Sequence, residues 1–393
     1  MILKFILTIF LLSSYITYAI SAPYTPNSPL QVLETIPTNA SIASKEFKNL
    51  RVLLNADPNN TAVATQLAKR FIERSRIEGD PRYLGYAQAV LAPWWKMSNP
   101  PIEIMVLRAT LLQSTHHFDQ SISELDKILK LDPNNGQAWV TRATILQVQG
   151  KYEEAYASCE HLYKLTSSLI TITCATNVRN LNGQAASSYQ KLKKVYAESR
   201  ETNSTIQVWV LTLLAEMAVR QGDNVAADQY FQKAMKVEDP DSYLLGAYSD
   251  LLLDQNRSQE VIKLLKTKTK IDALLLRYVE ALSTLNSADA ASQIEILKQR
   301  FAAALLRNDT VHQREYSRFE LRLMHNPLTA LQIAKKNWEV QKEPADARVY
   351  LESAIAAKDK SSIQTMVQWI TTKKLEDVTL DKILSHYKST STL

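Results

Sequence analysis

Residues 106–113 read VLRATLLQ and residues 140–147 read VTRATILQ, a match at Val, Arg, Ala, Thr, Leu and Gln across 34 residues. A unit of that length cannot bury an apolar face alone, so a chain that repeats it must stack the units against one another. Apolar residues recur at helical spacing in segments such as LLAEMAVRQ and YFQKAMKV, with DPNN, QGK, QGD, EDPD, NDT, HNP and EPAD between such segments. That alternation runs from about residue 45 to about 388 and contains no strand pattern. Helices of about 13 residues joined by loops of about two to four residues pack as antiparallel hairpins. The expected fold is therefore all-α.

The repeat resembles the tetratricopeptide repeat, a helix–turn–helix unit with small residues where its two helices cross. Residues 102–135 carry Ala109 and the exit Pro133; residues 136–168 carry Trp139, Ala143, Gly150, Tyr152 and Ala155. Residues 208–241 match best, with Leu211, Ala215, Gly222, Ala227, Phe231, Ala234 and Pro240. The resemblance implies a right-handed α-α superhelix of about eight to nine hairpins. It is strong over 102–240, and the outer units keep the hairpin rhythm with little of the motif. The stretch from Glu315 to Asp359 also resembles the C-terminal part of exported bacterial repeat proteins.

The first 22 residues, MILKFILTIFLLSSYITYAISA, have one early Lys, an apolar run and small residues after it. This is the pattern of a secretory signal, with an uncleaved membrane anchor as the alternative. The expected organisation is a signal or anchor over 1–21 and an extended Pro-rich arm over 22–44. Divergent helical repeats follow over 45–100, clear repeats over 101–241, and divergent hairpins with a C-terminal cap over 242–393. The expected location is the periplasm, with inner-membrane anchoring or secretion as alternatives.

Composition narrows the chemistry. The chain has 393 residues and 7 Gly, and no GxGxxG, GxxxxGK[ST] or GxSxG. Nucleotide-binding and hydrolase loops need such glycines for positive φ or close backbone approach. Its 46 Lys+Arg against 40 Asp+Glu give a net +6, or +5 without Lys4, spread along the chain. That is not a nucleic-acid footprint. His116 and His117 are adjacent and point apart on a helix, and the cysteines lack zinc spacing, so no metal site is expected. Glu153–Glu154 open a second helix, where acidic residues complement the helix dipole. No catalytic residue and no cofactor is expected. Trp94 and Trp95 cannot both face inward on one helix, which leaves packing or a partner or glycan contact for one ring.

The resemblance implies a peptide-binding concave groove lined by the first helix of each hairpin. Carrying its ligand-facing positions onto this sequence gives the row Thr110, Gln113, Thr144, Gln147, Asn177, Asn180, Glu216 and Arg220, followed by Asp250. Amides in such a row both donate to and accept from a peptide backbone. The expected function is a non-enzymatic scaffold for a protein or peptide partner in the bacterial cell envelope. The alternative is an assembly factor that binds polysaccharide or peptidoglycan. The only two cysteines, Cys159 and Cys174, lie about equally far from the loop near Ser167, at one height on two antiparallel helices. Either they form a disulfide, which export favours, or they are two buried thiols.

Overall fold

Helix starts fall on the polar punctuation. Asn135, Asn203, Asp223, Asp241 and Asp359 each accept, through the side chain, a backbone N–H three residues on, at 2.9–3.1 Å. Such caps satisfy donors that a helix leaves open at its N-terminus. Glu343 and Asp346 form a reciprocal capping box around Pro344 at the first helical position.

The computed structural model describes residues 42–306 and 311–391. It divides into two units, 1–48 and 49–393. Of the first, only residues 42–48 are described, the start of helix α1 (Ile42–Ala56). The expected signal at 1–21 and most of the arm at 22–44 lie outside the described residues. In the second unit, α2 (Thr61–Glu78) pairs with α3 (Arg82–Val90), and the four-residue α4 (Ala92–Trp95) follows. Next come α5 (Ile102–Ser114) with α6 (Phe118–Leu131), and α7 (Gly136–Val148) with α8 (Tyr152–Glu160). Then α9 (Ser168–Asn180) pairs with α10 (Ala185–Glu198), and α11 (Ser204–Arg220) with α12 (Asn224–Val237). The later pairs are α13 (Ser242–Asp254) with α14 (Ser258–Leu265), and α15 (Asp272–Thr284) with α16 (Ala290–Leu306). The last are α17 (Gln313–Arg322) with α18 (Pro327–Val340), and α19 (Pro344–Ala356) with α20 (Lys360–Lys373), before α21 (Val378–Ser391). The described residues thus form an α-α superhelix of nine hairpins, with no strand among them.

Each hairpin turns on one residue with positive φ: Gly79, His116, Gly150, Gly183, Gly222, Asn256, Asn286, His325 and Lys358. Four are glycines. The others accept a left-handed conformation that Asn and His tolerate better than Lys does.

The small motif residues are where two helices touch. Ala109, Ala143, Ala155, Ala215, Ala227 and Ala234 are at most 2% exposed. The repeated arginine of the octets is also structural. Arg108 is buried and pairs with Glu124, and its Nη1 donates to the Trp95 and Met97 carbonyls. Arg142 donates to Asp126 and to Ser158 Oγ. In both hairpins the first-helix arginine reaches the residue 16 positions on, in the second helix. Trp94 belongs to the core, at 6% exposed, and Trp95 is half-buried.

The superhelix turns tightly enough for its end to meet its middle. The N–H of Lys342 donates to the Val148 carbonyl at 2.7 Å. Trp369 and Lys342 lie over the Gly150 turn, and Lys374 lies over the Gly183 turn. One continuous apolar core contains Ala143, Tyr152 and Cys159 together with Leu331, Ala347 and Met366.

Candidate functional site

The closure leaves a cavity of about 450 Å³ among the first helices of the middle hairpins and the last four units. One wall carries Gln147, Asn177, Glu216 and Arg220, half of the row expected along the groove. The other carries Tyr243, Asp250, Arg277, Arg314, Glu343 and Asp377.

The expected row of eight divides. Thr110, Gln113 and Thr144 do not line the cavity. Thr110 and Gln113 are half-buried and Thr144 is exposed. The two threonine hydroxyls donate to the carbonyls four residues earlier, Val106 and Val140. Asn177 donates to the Gln147 side chain at 3.1 Å, so these two amides partly satisfy each other. Asn180 requires a correction: it is 0% exposed. Its Nδ2 donates to the Ala185 carbonyl at 3.0 Å, and its Oδ1 accepts from Arg220 Nε at 2.8 Å. It is a buried brace between adjacent hairpins. Arg220 itself is 8% exposed, so it is no groove-rim residue either. The helical register placed both correctly on first helices, but inter-hairpin packing covers Asn180, while Arg220 lines the enclosed cavity.

The facing wall is built from α13, α15, α17 and α19. Arg314, Arg318 and Arg322 follow at intervals of four on α17, one face of the helix. Arg318 pairs with Asp250 at 2.6 Å and Glu280 at 2.7 Å; Arg277 pairs with Asp250 at 2.6 Å. Arg322 and Arg348 share Glu352, and Arg348 reaches Asp254 at 2.7 Å. Arg314 pairs with Glu343 at 3.1 Å. Bidentate, charge-assisted contacts of this kind suit guanidinium better than ammonium. Of this wall, only Asp250 follows from the carried-over groove positions. The wall's one local signal was the Arg spacing in QREYSRFELR, a helix too polar to be an ordinary core element.

The carboxyl groups fall into two sets. Burial pushes Asp250 up, but Arg277 and Arg318 outweigh it and hold the carboxyl well below the usual range. Glu315 is likewise held down, to about 2, by Arg314 against the cost of burial. Glu216, Glu343 and Asp377 go the other way. Burial dominates and raises all three, Glu343 to about 7, with Arg220 or Arg314 opposing. Glu216 accepts a 2.6 Å hydrogen bond from the Tyr243 hydroxyl. Asp377 accepts from the backbone N–H groups of Thr379 and Leu380.

The cysteines are joined. Cys159 on α8 and Cys174 on α9 form a disulfide with Cα atoms 5.6 Å apart. His116 sits at a turn and is within 3.3 Å of Gln341 Nε2, while His117 Nδ1 contacts Thr115 Oγ1 at 2.9 Å. Among the described residues no group of three or more His, Cys, Asp or Glu is placed to hold a metal ion.

A family model described as tetratricopeptide repeat matches residues 124–157. No curated protein matches the chain. Among solved structures, a tetratricopeptide repeat protein from Parabacteroides merdae is 15% identical, with TM-score 0.42, covering 64% of this chain and 90% of that one. A human IFIT1 dimer is 15% identical, with TM-score 0.41, covering 89% of this chain and 86% of that one. Yeast Tom70 is 12% identical, with TM-score 0.35, covering 88% and 70%. The matched segment runs from the second half of α6 through α7 into α8, across Pro133, Ala143 and Gly150, so the chain carries a tetratricopeptide repeat there, within a longer run of hairpins.

Proposed function

We propose that the chain is a non-enzymatic scaffold that binds a protein or peptide partner in the bacterial cell envelope. The observation that carries this reading is the α5–α7 face of the superhelix. There Gln113 and Thr144 keep accessible surface outside the cavity, on first helices of two clear repeats. Stacked hairpins of this kind offer a continuous surface to an extended segment or a partner's helix. An envelope location draws support from the Cys159–Cys174 disulfide, which persists in oxidising compartments, and from the signal pattern of the first residues.

Photo-crosslinking tests the reading. A crosslinker at Gln113 or Thr144, in cells of the source bacterium, is expected to trap one discrete envelope protein. A crosslinker at exposed Lys191 on the second helix α10 is expected not to. Equal labelling from both faces would count against the groove, and capture of cytoplasmic proteins only would count against the envelope.

A further inference from the structure

The cavity holds charges that the rest of the network leaves out. Every arginine on the α13–α19 side is tied to a carboxylate. Arg220, on the repeat side, is 92% buried by its 8% exposure. Its only hydrogen bond among the described residues goes to neutral Asn180 through Nε, and its Nη2 is buried with no partner. Two carboxylates close enough to feel its field, Glu216 and Asp377, also make no ion pair among the described residues. One is bonded by a tyrosine hydroxyl and the other by backbone N–H groups. A buried guanidinium, a buried carboxyl and a half-buried one, lining one cavity but unpaired, are a costly arrangement. It persists in folded proteins where a ligand supplies the missing counter-charges.

We propose that this cavity binds a small zwitterion, an α-amino acid with an apolar side chain, whose carboxylate pairs with Arg220 and whose ammonium lies between Glu216 and Asp377. The pairing neutralises the lone guanidinium and supplies donors to the two carboxylates. A simple anion would meet two carboxylates beside its arginine, and a simple cation would meet the arginine. Leu213, Val219 and Leu251 supply apolar wall for the side chain. The volume of about 450 Å³ lies in the range of small-ligand pockets. Burial raises the pKa of Glu216 and of Asp377, and an ammonium between them would oppose that rise. Tyr243, which orders Glu216, is 54% exposed, so the site is reachable from solvent. This site is separate from the accessible α5–α7 face, and its failure would leave the scaffold reading standing.

Isothermal titration calorimetry on the full chain decides it, with L-leucine, 4-methylpentanoate (no ammonium) and 3-methylbutylamine (no carboxylate) as probes. Leucine is expected to bind at one site per chain, and each half-molecule at least about tenfold more weakly. Arg220→Gln is expected to remove leucine binding. Because Asn180 loses its partner in that variant, Glu216→Gln provides the second test. It is expected to weaken leucine at least about tenfold, with the fold checked by circular dichroism. Absence of leucine binding at about 10 mM, a half-molecule that matches leucine, or leucine binding unchanged in a folded Glu216→Gln protein would each overturn the proposal.

Discussion

The backbone N–H of Lys342 donates to the carbonyl of Val148 at 2.7 Å, which ties the segment before α19 to the end of α7. An open solenoid makes contacts only between neighbouring hairpins. This bond, with Trp369 over the adjacent Gly150 turn, makes residues 49–393 one closed unit. Lys342→Pro removes the donor, and the extended Gln341 before it (φ −125, ψ 141) accommodates a following proline. The variant is expected to lose at least about 1 kcal/mol in urea unfolding. An unchanged midpoint would mean that the strap contributes nothing.

The disulfide closes a loop with a sequence separation of 15, worth roughly 3 kcal/mol in the chain-entropy model. Cys159→Ser with Cys174→Ser is expected to lower stability by about that amount, since both side chains are buried. Peptide mapping of the unreduced, alkylated protein from its native compartment should give a linked pair containing Cys159 and Cys174. Two alkylated cysteines there would show the bond unformed.

Asn180→Ala removes a buried acceptor from Arg220 and a donor to the Ala185 carbonyl. A hydrogen bond to a charged group is worth roughly 1.5–3 kcal/mol, and its loss strands a buried guanidinium. Chemical denaturation is expected to show a loss in that range, whereas Thr144→Ala, at an exposed site, should stay within about 0.5 kcal/mol of the parent. Equal stabilities for the two variants would contradict the brace.

Glu343 has a folded pKa of about 7 against an ordinary 4.5. Between those values the folded chain holds a proton that the unfolded chain has released. Its contribution is therefore fully present below about pH 4.5 and is lost as pH rises to about 7. Glu315, held down to about 2, and the depressed Asp250 act oppositely. Their stabilisation is present above the ordinary carboxylate range and is lost as pH falls from there through their lowered folded values, about 2 for Glu315. Stability measured across pH should peak on the mildly acidic side, and Glu343→Gln should flatten the decline between 4.5 and 7. A curve that rises steadily to pH 8 would refute the assignment.

The nine turns offer opposite substitutions. Lys358 is exposed with φ +57, and Lys358→Gly relieves a left-handed conformation that costs a β-carbon roughly 1 kcal/mol. It is expected to raise the melting temperature. Gly183→Ala, at φ +74, would place a Cβ 3.1 Å from Lys374 Cβ as well as straining the turn. A fall of at least about 1 kcal/mol is expected there. Differential scanning calorimetry of the pair checks both signs, and shifts in the same direction would disprove the turn argument.

The hairpins were legible because their causes are local. The period, the small residues at crossings such as Ala109 and Ala143, and the capping Asn and Asp residues act within one or two turns of helix. The turns at Gly150, Gly183 and Gly222 were legible for the same reason, and that at His116 from the repeat register, whereas those at Asn256 and Asn286 carried no comparable mark. Whether the groove stays open is not a local matter. It depends on Arg318 meeting Asp250 from 68 residues away and on Arg348 meeting Asp254 from 94. No periodicity encodes those distances, because they follow from the small rotation between successive hairpins summed over the whole superhelix. Sequence alone determined that this chain builds stacked helical hairpins with a face of first helices. Only the tertiary structure decided that part of this face is enclosed, because side chains that each look solvated in their own helix neutralise one another once the end of the superhelix meets its middle.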